Sequence, residues 1–537
     1  MFMGFRVNSA GKVNQGHFSR VPANVAAPRS AFDRSFSHKT AVNEGDIIPI
    51  FWEPILPGDT VNLTMNLLAR LSTPIFPYMD NVYADLHWFF VPNRLLWDNW
   101  EKFQGARTNP DDSTDFEVPQ LDDATHAAGF GQNTIYDYFG LPTKIASIPQ
   151  ANMPIALPFR AVAKIWNEWY RDENYQDSLA YPTNDGPDTF AYGVPKRNRR
   201  KDYFTSALPW PQKGDAVQLS LGTSAPIYGT AVDTLMYPTN NPTSLGPIYA
   251  DDGATPNLRI GAPSTHTPAS TARFSTDSSE IGLEADLAAA VGPTINALRE
   301  AIVLQQMLEL DARGGTRYVE ILLSRFGVVS PDFRLQRSEY LGGQTFDVNV
   351  NPVAQTSETA TTPQGSLSGF ATARGKSRIT HSFVEHGQLL GLLSFRADTT
   401  YQQGMNRHWS VRTRYDYYEP LAANLGEQAI LGKELYMDAT SADDDVIGYN
   451  ERWAEYRYKP SYVTGAFRSN YTGSLDSWHL AIDFNARPSI EDILPEAPPI
   501  ERIVAVTDEP HFIVDTWTHF RHVRVLPVYS APGLTRL

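Results

Sequence analysis

Apolar and polar residues alternate with period two over several stretches of the chain, the pattern of strands that turn one face to a core. Val61, Leu63, Met65 and Leu67 alternate with Asn62, Thr64 and Asn66, and residues 45 to about 92 read as β throughout. Near the other end, Ile513, Asp515, Trp517 and His519 alternate with Phe512, Val514, Thr516 and Thr518, until Pro527 closes the run. Strands at both ends of a long chain, separated by loops and short helices, suit an antiparallel fold in which distant segments pair.

The richest stretch is 79–105. Val82, Ala84, Leu86, Trp88 and Phe90 fall on one side of a strand, with Tyr83, Asp85, His87, Phe89 and Val91 on the other. Pro92 stops the strand, and Asn93 is placed to cap a short helix bearing Leu96, Trp100 and Phe103, with Gly105 as its end. Such a joint predicts a packing hub, with Trp97 and Trp100 shared between the core and an interface.

A longer 3.6-residue pattern runs from about 293 to 313. Pro293 is suited to the first helical position, and Gly314 and Gly315 to the end. Ile295, Leu298, Ile302 and Gln305 trace one stripe, and Val303, Met307 and Leu310 flank it, which predicts a helix packed on several sides.

At 537 residues the chain exceeds the roughly 250 to 300 at which single cores stop growing, so it needs several domains or one domain with large insertions. The predicted divisions are a basic arm at 1–43, a first β-rich part at 44–215, a long loop-like segment at 216–283 that is either functional or disordered, and a remainder at 284–537. The resemblance given below implies that the second and fourth form one barrel and that 216–283 is a surface insertion. The insertion is almost uncharged, dense in Thr, Ser and Ala, and broken by Pro226, Pro238, Pro242, Pro247, Pro256, Pro263 and Pro268.

The net charge is −15, which opposes general nucleic-acid affinity, so any DNA contact must be local or delegated to a separate basic protein. Two local exceptions stand out. In the arm, Arg6, Lys12, Arg20, Arg29, Arg34 and Lys39 face the single acid Asp33. Further on, Lys196, Arg197, Arg199, Arg200 and Lys201 precede Tyr203 and Phe204, the pairing of cations and stacking rings that holds single strands without sequence preference. Both groups are candidate nucleic-acid contacts, and both are also readable as solvated or ion-paired loops.

Other chemistry finds little support. With 0 Cys the chain has no disulfide or thiolate metal site. Residues 369–377, GFATARGKS, miss the phosphate-loop spacing because Phe370 stands where the first glycine is needed. His519 and His522 would point to opposite faces of a strand, and Asp443, Asp444 and Asp445 lack the later ligands of a calcium loop, so they read as a solvated acidic turn. Neither G-x-S-x-G nor H-E-x-x-H occurs. No catalytic residue, cofactor or metal is predicted. The N-terminus has no apolar secretory core and no stretch approaches the ~18 apolar residues of a bilayer span, which predicts a soluble, unexported protein.

Several segments carry a family resemblance. FFVPNRLLWDNWEKFQG at 89–105, preceded by Leu56-Pro57-Gly58-Asp59-Thr60, is similar to the major capsid proteins of gokushoviruses, small single-stranded DNA phages of the microvirus family. HFSRVPANVAAPRSAFDRS near the start, IWNEWYRDEN at 165–174, DYFTSALPWPQKG at 202–214, LELDARGGTRYVEILLSRFGVVSPD at 308–332 and YYEPLAANLGEQAI at 417–430 extend it in the same order.

The resemblance implies a mainly β fold, a viral jelly roll or eight-stranded antiparallel barrel with long loop insertions and few short helices. It implies a T = 1 shell of sixty copies built through pentamers in the host cytoplasm, and a packaged circular single-stranded DNA. It also implies a small basic DNA-binding protein, a pilot protein, and a host receptor met by a threefold protrusion that 216–283 resembles in placement. Two rival readings are a secreted carbohydrate-active β-sandwich enzyme and a monomeric receptor-binding module.

Overall fold

The structure, a computed structural model, describes residues 28–215, 217, 294–360 and 363–529, with six short strand segments between 227 and 285. The chain forms two compact units, one from the residues up to Pro211 and from Val328 onward, the other from Gln212–Gly327.

In the first unit nine strands form one antiparallel sheet: β1 Ser30–Asp33, β2 Phe36–Val42, β3 Ile48–Ile55, β4 Thr60–Leu71, β5 Val82–Pro92, β6 Glu339–Ala354, β7 Leu367–Ser382, β8 Gly387–Ala397 and β9 Phe512–Arg524. Their order is β1-β9-β4-β7-β6-β5-β8-β3, and β2 follows β1 along the same edge of β9. Counting β1 and β2 as one broken strand, the pairing is nested: β2 with β9, β3 with β8, β4 with β7, β5 with β6. A hairpin four strands deep, rolled on itself, is the jelly-roll topology.

The period-two pattern places the core correctly. Val61, Leu63, Met65, Leu67, Ala69 and Leu71 of β4 meet Phe512, Val514 and Phe520 of β9 inside the roll. Strand β5 is buried on both faces. Val82, Ala84, Leu86, Trp88 and Phe90 fill the roll, while Phe89 and Val91, with Leu390 and Leu392 of β8, pack outward against Trp97, Phe159 and Trp166. The excursion between β5 and β6 therefore coats the outside of β5 and β8, around a helix Leu157–Ile165 that is buried throughout. Within it Arg160 is fully buried but fully engaged, with Asp188 at 2.5 Å and the carbonyls of Leu96 and Asn184 at 3.0 Å.

The turn between β3 and β4 explains the Leu56-Pro57-Gly58-Asp59 segment. Gly58 has φ +86°, and the Asp59 amide donates to the Leu56 carbonyl at 3.0 Å, the type II arrangement that favours Pro then Gly at the centre. The Asp59 carboxylate then accepts from the Leu56 amide at 2.9 Å, from His522 at 2.9 Å and from Arg524 at 2.7 Å, which ties this turn to β9. Across the open seam of the roll, Arg34 pairs with Glu53, Phe36 stacks on Phe51 at 6.0 Å, and the His38 ring meets the Ile50 carbonyl at 3.2 Å.

Four expectations need correction. Residues 30–42 are not part of an arm but lie in β1 and β2, where pairing to β9 satisfies their backbone. Asn93 caps no helix: it opens a one-turn 3-10 helix, and its buried Oδ1 accepts from Gln388 at 2.8 Å. Trp97 is wholly core, with its indole N–H on Asp185 at 2.6 Å, so only the partly buried Trp100 is open to sharing. The predicted long helix is present at Ile295–Gly314, capped by the Thr294 hydroxyl, but Leu298, Ile302, Val303, Leu304 and Met307 are exposed and Ala312 is its buried residue. Pro293 lies outside the described residues.

In this second unit the helix is followed by Tyr318–Phe326, which ends at Gly327 in the left-handed region. The strand segments pair in nested order as well: Ile227–Gly229 with Leu283–Ala285, Met236–Pro238 with Ala272–Phe274, Ile248–Tyr249 with Arg259–Ile260.

Burial pushes the Asp59 carboxyl up, but the hydrogen bonds from His522, Arg524 and Leu56 outweigh it and hold it at about 2, below the ordinary 3.8. A depressed carboxylate stabilises the fold above its unfolded value, and this is lost as pH falls through its folded value. Asp59→Asn is therefore expected to cost about 2 kcal/mol near neutral pH. In urea melts the gap from the parent should narrow as pH falls from 3.8 toward 2; a gap independent of pH would contradict this role.

Candidate assembly surface

Between β8 and β9 the chain makes a long excursion with little regular structure and a surface crowded with rings. Trp409 is 74% exposed and Leu421 95%, and Tyr415, Tyr417, Leu425, Tyr462 and Tyr471 are exposed as well. Contacts join many of them. Tyr418 packs edge-on to the buried Trp453 at 5.7 Å, Tyr456 meets Tyr418 at 6.1 Å, and His408 meets Tyr456 at 4.9 Å. Beside them opens a cleft of about 630 Å³, lined among others by Met405, Trp409, Tyr458 and Tyr462, with Tyr203 and Phe204 toward its floor.

Buried polar groups hold this excursion in shape. Two short strands, Glu427–Leu431 and Val446–Glu451, pair antiparallel, and Thr400–Tyr401 pairs parallel with Ser461–Tyr462. Glu434 is buried and accepts from the Tyr203 hydroxyl at 2.7 Å, from Arg407 at 3.0 Å and from the Leu431 amide at 3.0 Å. Burial raises its carboxyl above the ordinary value, partly offset by the Arg407 charge. Buried hydrogen bonds brace the scaffold while the rings point to water, a composition suited to contact with protein.

The cationic candidates scatter. Arg197 is buried and reaches Asp85 at 2.6 Å and Ser394 at 2.9 Å; Arg199 is buried against the carbonyls of Pro495 and Ala497, both at 3.2 Å. Burial pushes the Asp85 carboxyl up, but Arg197, Thr345 and Arg396 hold it at about 2. Lys196 pairs with Asp46 at 2.9 Å, Lys201 pairs with Asp172, and Arg200 remains exposed, 5.9 Å from the Tyr83 ring centre. Tyr203 and Phe204 are buried, so they are not a stacking platform. Of the other group, Arg29 bonds Gly58 and Thr60, Arg34 pairs with Glu53, and Lys39 pairs with Asp515 at 3.3 Å. Arg6, Lys12 and Arg20 lie outside the described residues.

The remaining motifs resolve structurally. Residues 369–377 run within β7, and Gly375 is there because the Phe346 ring occupies its side-chain space. His522 is buried and His519 exposed, on opposite faces of β9. The acidic turn is not simply solvated: Asp443 is buried and accepts from Arg487 at 2.6 Å. Among the described residues, no group of three or more His, Cys, Asp or Glu could hold a metal ion, and no helix is long and apolar enough to cross a membrane.

Residues 19–534 match the capsid protein (F protein) family. The chain belongs to this capsid protein family. Capsid protein VP1 of Bdellovibrio phage phiMH2K is 47% identical over 531 residues, 97% of this chain and 98% of that one. Capsid protein VP1 of Chlamydia phage 1 is 42% identical over 594 residues, 98% of each chain. That of Spiroplasma virus 4 is 36% identical over 534 residues, 93% of this chain and 94% of the other.

Similarity over nearly the whole length supports a major capsid protein of a phage virion, with a structural role, and leaves the two rival readings without support. The exposed rings lie on the surface of a capsid protein. Their positions, among them Trp409, Tyr415, Leu421 and Tyr462, were not singled out from sequence, because they follow neither a period-two nor a 3.6-residue pattern. Their one visible signal is aromatic density between turns.

Arg407→Ala is expected to destabilise the excursion by about 2 kcal/mol, since Glu434 would be left buried without its cation. The loss should be smaller at pH 5 than at pH 8, because the freed carboxyl then takes up a proton. Amide exchange at Ala429–Leu431 would report it; equal protection in parent and variant would contradict the role.

Proposed function

We propose that sixty copies of this chain close a T = 1 icosahedral shell around a circular single-stranded DNA genome, and that the exposed aromatic surface of the 405–475 excursion is a principal contact between subunits. The observation that carries this is the ring-covered surface itself, on a chain of net charge −15 that membership of a capsid family assigns to self-assembly. Closure of a shell multiplies modest contacts, so each interface needs only a few well-buried anchors.

Segment 216–283 is the surface insertion that forms a protrusion and meets the host cell. Its three strand pairs are nested in sequence, as in a hairpin arm. Residues 1–27 are the internal basic arm, with Arg6, Lys12 and Arg20 placed to neutralise phosphate.

Two experiments test this reading. Substituting Tyr417, Leu421 and Tyr462 by Ser should leave melting within about 0.5 kcal/mol of the parent, as for surface positions, yet leave subunits unassembled in velocity sedimentation. Shells of normal size would reject the interface. Deleting 216–283 should preserve assembly and reduce attachment to host cells; lost assembly with intact attachment would reject the protrusion.

A further inference from the structure

The outward faces of the roll are unequal. The excursion between β5 and β6 covers β5 and β8, but nothing described covers β9, β4 and β7. On their bare face stand Arg70 of β4, Arg374, Lys376 and Arg378 of β7, and Arg521 of β9, all exposed. Among the described residues none of these five has an ion pair, whereas Arg160, Arg197 and Arg396 all meet carboxylates. The acids on the same face, Asp515 and Asp33, are fewer, and Asp515 already pairs with Lys39.

The register makes this face a track. Arg374, Lys376 and Arg378 lie opposite Leu68, Asn66 and Thr64, which in turn lie opposite Asp515, Trp517 and His519. Alternate residues on one strand stand about 7 Å apart, so the three cations of β7 form an evenly spaced row. An extended nucleic-acid strand can follow such a row phosphate by phosphate. Next to it Trp517 is 47% exposed, its ring set edge-on to His519 at 5.8 Å. A shallow pocket of about 320 Å³ opens there, lined among others by Asn66, Leu68, Arg374, Asp515 and Trp517. That is an aromatic face, an amide, a guanidinium and one carboxylate, itself paired with Lys39, around a space roomy enough for a flat heterocycle.

We propose that the β9-β4-β7 face is a binding site for single-stranded nucleic acid, with Arg374, Lys376 and Arg378 along the phosphates and Trp517 stacking a base. Recognition is independent of sequence, because every base has a face to stack and every phosphate a charge. The site rests on the reading above that the shell encloses single-stranded DNA, and it differs from the two basic clusters noted in the sequence. An acidic chain thereby gains a local track for a polyanion, without the overall positive charge that would bind any nucleic acid.

The test is the affinity of the full chain, kept unassembled, for a labelled oligothymidylate across a salt series, read by fluorescence anisotropy. Each phosphate released contributes about 0.7 to the slope of log K against log salt for a single strand. The triple variant Arg374→Gln, Lys376→Gln, Arg378→Gln should therefore lower the slope by about 2, while Arg374→Lys with Arg378→Lys should retain it, which separates lost charge from lost fold. Trp517→Ala should weaken oligothymidylate binding roughly tenfold and leave inorganic polyphosphate binding unchanged.

An unchanged slope in the triple variant, or no effect of Trp517→Ala, overturns the proposal. So does loss of subunit association in the triple variant with oligothymidylate binding intact, which would make the face an intersubunit contact. The ratio of absorbance at the nucleic-acid and protein maxima of purified shells judges the other reading separately. DNA-filled shells with an unchanged slope sink this site alone, whereas shells without DNA sink the enclosure itself.

Discussion

The barrel depends on a carboxylate that holds its two ends together. Asp59 sits in the turn that Pro57 and Gly58 impose between β3 and β4, and it receives His522 and Arg524 from β9, His522 lying 463 positions further along the chain. Strand β9 lies between the β1/β2 edge and β4, so the roll is incomplete until almost the entire chain is available. Nested, long-range pairing of this kind is slow to form, and a charged cluster at its closing point gives the last strand a defined register. Burial alone would penalise Asp59; the donors around it reverse the sign.

Closure leaves a barrel with two different outsides. Over β5 and β8 the chain lays down a second core around Trp97, Phe159 and the Arg160–Asp188 pair. This accounts for the near-continuous burial of β5 and β8, since a strand covered on both faces shows no alternation of buried and exposed positions. Over β9, β4 and β7 alternation persists, and the outward positions carry cations without an ion pair among the described residues and an exposed tryptophan. The excursion before β9 presents the other exposed rings. One fold thus separates surface used within the subunit, surface suited to neighbours, and surface suited to a polyanion.

Much of this was legible in the sequence wherever water imposes a pattern. Strands β4 and β9 are visible because their outward residues are polar, and the end of Ile295–Gly314 because Gly314 and Gly315 leave a local mark, whereas the Thr294 cap is seen only in the structure. Burial of that helix was misread, because an apolar stripe reports what a helix can bury, not what the single chain supplies. Arg197 and Arg199 looked like a phosphate site because charge density is local, whereas their partners Asp85 and Pro495 are distant in sequence. Asp443 reads as solvent-facing in the sequence for the same reason, its partner Arg487 lying in a later segment. The strand order, the cleft beside Trp409 and the cationic face of β7 arise only from register, which no single segment records.

The central claim is that this barrel is a shell subunit whose exposed rings become interfaces. Electron microscopy of the purified full-length chain, with its mass measured by sedimentation, tests this most directly. The account predicts closed particles of uniform size, with the 405–475 surface buried between neighbouring copies in a reconstruction. A stable monomer of 59.9 kDa at high concentration, or closed particles in which Trp409, Leu421 and Tyr462 still face solvent, would contradict it.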